Sequence, residues 1–294
     1  MEIFGVPSAL FGSQLLIGLI NGSFYAILSL GLAIIFGLLN IINFAHGAQY
    51  MMGAFFAWIA LTKFGINYWV ALLLAPVLVG AVGVVLERTM LRRLYKLDHL
   101  YGLLLTFGLA LIFEGVFRDQ FGVSGQSYPV PEQLQGGVNL GFMFMPIYRG
   151  WVVVAALAVC FGTWFMIEKT KLGAYLRAGT ENPQIVQALG INVPLLITFT
   201  YGYGVALAAF AGVLAAPIYQ VSPLMGSNLI IVVFAVVVIG GMGSIMGSIV
   251  TGLGLGLVEG LTRVFYPEAS AVVVFFIMVI VLLVRPAGLF GRAT

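Results

Sequence analysis

Few side chains in this 294-residue sequence can do chemistry, and most of those sit in apolar surroundings. Two acids interrupt hydrophobic runs, Glu114 and Glu259, and each is followed four residues later by an arginine, Arg118 and Arg263. An unpaired acid deep in a membrane costs about 2.5–3.5 kcal/mol on insertion scales and points to proton or cation coupling. Glu before Arg at this spacing places both side chains on one helix face. Both pairs also fall near the outer ends of their runs, where arginine reaches the interface. The spacing therefore predicts local neutralisation and counts against an ion-driven transporter. A second polar group, Asn40, Asn43, His46 and Gln49, gathers within Gly37–Gln49. Amides there can cap a broken helix or hydrogen-bond a polar solute in passing. His46 has no metal-ligand spacing, because the only other histidine is the distant His99. The single cysteine, Cys160, excludes an intrachain disulfide and reads as packing. The sequence contains no P-loop, no H-E-x-x-H and no G-x-S-x-G. An enzyme is therefore not expected, and no metal site.

The elements that must position these residues follow from composition. Hydrophobic residues make up 62% of the chain and charged residues 8%, with a mean hydropathy of +1.12. A soluble domain carries about 25% charged residues, so lipid must cover this surface. At about 20 residues per spanning helix, the length allows roughly eight to ten spans. Strand-period alternation is absent, which disfavours a β-barrel. The chain reads as one all-α transmembrane domain, residues 1–294, with eight to nine spanning helices, some broken. The spans fall near residues 13–38, 46–61, 69–86, 101–117, 151–167, 195–216, 229–239, 247–264 and 271–284. The net charge of +3 comes from flanking loops and implies no nucleic-acid partner. Trp58, Trp69, Trp151, Tyr68, Tyr148 and Tyr266 near span ends read as an interfacial belt.

Two breaks stand out, Gly37–Gln49 and the run Gly240-Gly241-Met242-Gly243-Ser244. Broken backbone at membrane depth is tolerated only where protein or a water-filled cavity satisfies it. Short, glycine-interrupted apolar segments in corresponding places of two halves point to a transport site. The match here is loose and suggests at most a weak inverted repeat. For the first break two readings stand, a polar cytoplasmic turn or a broken helix lining a pathway. The glycines of the second serve either packing or a path. Ser248, Gly252, Gly256 and Gly260 form a stripe of small residues, echoed by Gly18 and Gly22, that suits close helix approach.

The loop Lys169–Val193 carries the clearest polar signal. Asn182 is a good N-cap, Pro183 suits the first helical position, and Gly190 can go left-handed after the last turn. A short helix over Pro183–Leu189 is predicted. By parity, the loops at 87–99 and 169–193 and the C-terminal tail hold nine of the thirteen basic residues. They belong in the cytoplasm, with the N-terminus outside, the C-terminus inside and Asp119–Gly150 as the main external loop.

Four segments in this order carry a resemblance: GLLNIINFAHG (37–47), RAGTENPQIVQALGIN (177–192), VIGGMGSIMG (238–247) and VRPAGLFG (284–291). The chain closely resembles, over essentially its whole length, the LivH-type inner-membrane permeases of bacterial branched-chain amino acid ABC importers. Similar permeases serve urea, amides and aromatic or other carboxylates. The resemblance implies a permease that moves a small polar solute, above all branched-chain or other amino acids, inward by alternating access. It implies a second permease subunit, usually a different chain, two cytoplasmic ATP-binding subunits and an external solute-binding protein. ATP and Mg would be bound by the partner ATPases, with no cofactor in this chain. The Pro183–Leu189 helix matches the family's coupling segment. Arg177, Glu181, Asn182, Pro183, Gln184 and Gly190 are expected to touch an ATPase or shape that loop. The solute path is expected to run by Asn40, Asn43, His46, Gln49, Gly240, Gly241, Gly243 and Ser244. A stand-alone secondary transporter or channel is the rival of another class.

Overall fold

Long apolar runs immersed in lipid satisfy their backbone groups internally, and a helix does so within one segment. The computed structural model describes every residue except Met1, Phe4, Gly5, Asn40, Ile41, Lys96 and Arg292–Thr294. Its helices are α1 (Ser8–Leu39), α2 (Ala45–Phe64), α3 (Tyr68–Thr89), α4 (His99–Phe121), α5 (Ile147–Lys169), α6 (Lys171–Glu181), α7 (Pro183–Ala188), α8 (Val193–Ala215), α9 (Ser227–Gly240), α10 (Ile245–Phe265) and α11 (Val273–Val284). Two small antiparallel hairpins, one before α1 and one before α5, are the only strands among the described residues. Each of the nine expected spans is a helix. Six are long and apolar enough to cross a membrane, and α9 and α11 are shorter apolar helices. The protein is an all-α, multi-pass membrane protein.

Small residues set the packing. Helices α1 and α10 run antiparallel in the most extensive contact of the molecule. A β-carbon placed on Gly256 would lie 2.4 Å from the Gly18 carbonyl oxygen and 2.4 Å from Gly22 Cα. The expected small-residue stripe is thus a backbone-to-backbone seam inside the chain. Gly53 and Gly212 bring α2 and α8 together in the same way. The core lies where α1, α2 and α8 meet, around the fully buried Leu30, Ile35, Met51, Phe55, Ala208 and Val213.

Two aromatic expectations need correcting. Tyr68 and Tyr148 are buried rather than interfacial. Tyr148 donates to the Leu214 carbonyl (2.9 Å) and so accepts from Tyr68 Oη (3.0 Å), which itself accepts from Trp151 Nε1 (3.1 Å). A third acid escaped notice in the sequence. Glu87, near the end of α3, is buried and accepts from Tyr95 Oη and Thr198 Oγ1, both at 2.7 Å. It ties the α3–α4 loop to the start of α8. Burial and this bond hold the Tyr95 hydroxyl well above its ordinary pKa.

Candidate functional site: the helix breaks, a half-open cavity and the 169–193 loop

The break between α1 and α2 does not lie at a helix end on the surface. The His46 ring bonds through Nε2 to the Leu28 carbonyl at 3.0 Å. A carbonyl only accepts, so Nε2 carries the hydrogen. Leu28 stands eleven residues before the end of α1, about 16 Å back along the helix at 1.5 Å per residue. The first turn of α2 therefore lies beside the middle of α1. The chain satisfies the exposed backbone there itself. Thr106 on α4 donates to the Ile42 carbonyl (3.1 Å) and accepts from Phe44 N–H (3.2 Å). Phe44 packs between Phe107 and Phe234. Asn43 and the first turn of α2 are thus enclosed by protein rather than exposed as a surface turn.

Asn43, His46 and Gln49 come together and are fully buried. Asn43 Nδ2 donates to Gln49 Oε1 at 3.1 Å. Asn43 Oδ1, His46 Nδ1 and Gln49 Nε2 have no hydrogen-bond partner; the Tyr201 hydroxyl lies beside Gln49 but outside bonding geometry. Such buried, unpaired polar atoms are uncommon. Asn40 lies outside the described residues.

Above this cluster, toward the Ser8 end of α1, lies a cavity of about 370 Å³. Asn21, Tyr25, Tyr219, Asn228 and Arg263 line it together with Phe24, Met225 and Leu229. Tyr50 and Leu229 are shared with a closed crevice between Leu28 and His46, so the cavity has a floor. No signal in the sequence pointed to it, because its walls come from α1, α2, α9, α10 and the α8–α9 link. At the same depth the backbones of Gly47 and Gly226 touch, with a β-carbon on Gly47 falling 2.6 Å from the Gly226 oxygen. The first turns of α2 and α9 therefore start side by side.

Both predicted ion pairs form, Glu114 with Arg118 at 2.8 Å and Glu259 with Arg263. They differ in surroundings. Arg118 lies on the periphery of α4, whereas Glu259 is buried and also accepts from Tyr25 Oη at 2.8 Å.

The glycines of the second break belong to the α9–α10 turn. Gly241 and Gly243 have φ of 101° and 83°, conformations that favour glycine. Gly240 touches the Gly247 backbone, and Ser244 caps α10 by accepting from Gly247 N–H at 3.1 Å. The VRPAGLFG tail folds back on this turn. Leu289 N–H donates to the Ile239 carbonyl (2.8 Å) and Phe290 N–H to the Gly240 carbonyl (3.1 Å). The packing reading accounts for Gly240 and Gly241. Gly243 lies against Gly37 of α1 and lines a crevice of about 100 Å³ with Arg177 and Thr180, so the second break meets helix α6.

The short helix α7 forms as expected. Asn182 Oδ1 accepts from Ile185 N–H at 3.2 Å, Pro183 is the first helical residue, and Gly190 has φ of 85°. Glu181 and Gln184 are exposed. Arg177 turns back to α5, donating to the Ile167 carbonyl (3.3 Å) and Glu168 (3.4 Å), which shapes the loop. The sequence reading missed two features. One is α6, an amphipathic helix that buries Gly173, Leu176 and Gly179, a spacing of three that was there to be read. The other is a pair of apolar side chains on the α7 surface, Ile185 at 59% and Leu189 at 75% exposure.

Comparison with known proteins gives a consistent picture. The family model described as branched-chain amino acid transport system / permease component matches residues 14–282. The high-affinity branched-chain amino acid transport system permease protein BraD of Pseudomonas aeruginosa is 32% identical, covering 95% of each chain. LivH of Escherichia coli K12, a permease protein of the same description, is 31% identical over 96% of each chain. LivM of the same organism, also so described, is 26% identical over 90% of this chain and 67% of its own.

Proposed function

This chain belongs to the branched-chain amino acid transport permease family, and we propose that it is the membrane-spanning subunit of an ABC importer that moves aliphatic amino acids inward. The match over residues 14–282, from α1 into α11, carries this reading. Escherichia coli has two permease proteins of this description, LivH and LivM, and both are similar to this chain. That supports assembly with a second, related permease. The remaining partners are two cytoplasmic ATPases, which bind ATP and Mg, and an external solute-binding protein that captures the amino acid and docks on the Asp119–Gly150 face. The subunit sits in the bacterial inner membrane with the Ser8 end of α1 outside and the C-terminus in the cytoplasm. Nine of thirteen basic residues then face the cytoplasm.

Each part of the chain has a task in this scheme. Helix α7 lies in a groove on an ATPase, gripped through Ile185 and Leu189. Arg177 and Asn182 fix the loop so that α7 moves as a lever, with Glu181 and Gln184 on its exposed rim. ATP-driven closure of the ATPases shifts the balance between outward-open and inward-open states, as far as their affinities for those states differ. Asn43, His46 and Gln49 form the closed floor through which the solute passes, and Gly243 and Ser244 border the exit near α7. Weak binding suffices, because capture happens outside.

Two measurements test the scheme. A cysteine at Leu189 is expected to react with an impermeant thiol reagent only from the cytoplasmic side of sealed vesicles. Labelling from outside would overturn the orientation and the coupling role together. His46→Ala or Asn43→Ala is expected to lower ATP-driven leucine uptake about tenfold, the scale of one lost buried hydrogen bond, in permease that still assembles. Normal uptake by both variants would remove these residues from the path.

A further inference from the structure

Arg263 is the basic residue among those that line the cavity between α1, α9 and α10. Its side chain faces the 370 Å³ cavity, reaching there from the last turn of α10 because helical side chains lean toward the N-terminus. A guanidinium carries five N–H donors. Among the described residues it makes one hydrogen bond, through Nη2 to Glu259. The other donors have no partner among the described residues, and the side chain keeps 37% of its accessible surface. The Glu259 carboxylate is engaged on both oxygens, by Arg263 and by Tyr25 Oη. The pair is therefore neutral overall, with its cationic part presented and its anionic part tucked away.

The other walls complete a two-part surface. Tyr219 Oη donates to Asn21 Oδ1 at 3.1 Å, which leaves the Asn21 amide N–H₂ and a lone pair on Tyr219 facing the space, with Asn228 alongside. Phe24, Met225 and Leu229 supply an apolar wall. A cavity of this size sits at the small end of the range of about 300–1,000 Å³ for small-molecule sites.

Resting on the permease reading, we propose that this cavity is the receiving site for solute released from the binding protein, and that it takes a zwitterionic aliphatic amino acid. The carboxylate lies on the free edge of the Arg263 guanidinium, the ammonium is accepted by the Tyr219 and Asn228 oxygens, and the aliphatic side chain rests on Phe24, Met225 and Leu229. A planar guanidinium suits a carboxylate better than an ammonium point charge does. Transport of a net-neutral solute fits a net-neutral ion pair, because neither partner needs to change protonation as the solute leaves.

The test uses the assembled transporter in sealed membranes. Ser222→Cys places a near-isosteric thiol in the cavity wall, while the native Cys160 is fully buried and silent. The rate of labelling by an impermeant thiol reagent from outside is measured without ATP, with saturating L-leucine or with L-leucinamide, which lacks the carboxylate. L-leucine is expected to slow labelling about tenfold, the amide to leave it unchanged, and Arg263→Gln to abolish the protection. Arg263→Lys keeps the charge and the Glu259 pairing and is expected to protect partially, so a folding failure of Arg263→Gln does not end the test. Protection by the amide equal to that by leucine, no protection by either, or full protection surviving in Arg263→Gln overturns the proposal. Protection needs no ATP hydrolysis. Loss of ATP-driven uptake in the unmodified transporter would instead strike the permease reading and leave the cavity result standing.

Discussion

Gly256→Leu is expected to remove the permease from the membrane fraction. The added β-carbon would lie 2.4 Å from backbone atoms of both Gly18 and Gly22, and those cannot rotate aside as a side chain can. Ordinary overpacking, absorbed by side chains, costs about 1–3 kcal/mol. Here α1 and α10 must separate as bodies. That breaks Ser29 Oγ to the Ser248 carbonyl (3.2 Å) and Tyr25 Oη to Glu259 (2.8 Å), and it leaves a buried carboxylate short of a donor. Against a total stability of about 5–15 kcal/mol, such a loss is decisive. Gly254→Leu is the control: it lies on the same helix, and a β-carbon there meets no atom within 4 Å. Immunoblots of isolated membranes should show near-complete loss for Gly256→Leu and normal amounts for Gly254→Leu. Equal amounts of the two would refute the close seam.

A second large effect is expected at α7, with the opposite signature. The double variant Ile185→Asp, Leu189→Asp should accumulate normally, because both side chains face away from the fold. ATP-driven uptake should nevertheless fall about a thousandfold, since two apolar anchors at the centre of an interface each contribute about 2 kcal/mol. Co-purification of the ATPase with the permease is the direct readout, and unchanged retention would sink the assigned role of α7. Val186→Asp separates surface from fold. Val186 is the buried residue of α7, so its replacement should lower the amount of permease rather than uncouple it.

The spans were legible because lipid imposes one rule on the backbone and composition reports it directly. The α7 caps were legible for a similar reason: Asn182, Pro183 and Gly190 act on atoms within a few residues, so their neighbours in sequence decide the outcome. The cavity was not legible. Asn21, Tyr219 and Arg263 stand far apart along the chain and converge only through the antiparallel α1–α10 seam. Glu259 and Glu114 have the same local signature, and only packing against Tyr25 tells them apart. Tyr68 and Tyr148 were misplaced because an aromatic near a span end looks alike from sequence whether it faces headgroups or another tyrosine. Glu87 was hidden by its position at a span boundary beside basic residues.

The side-by-side start of α2 and α9 has an electrical consequence. Each helix origin carries roughly half a positive charge, and at the buried Gly47 and Gly226 the two are pressed together, where screening is weaker than in water. A lone proton or sodium ion drifting toward the middle of the protein meets a repulsive barrier made of main chain alone. A neutral amino acid meets none. In the proposed importer that barrier keeps the membrane voltage, worth about 2.3 kcal/mol per charge per 100 mV, from draining along the solute path.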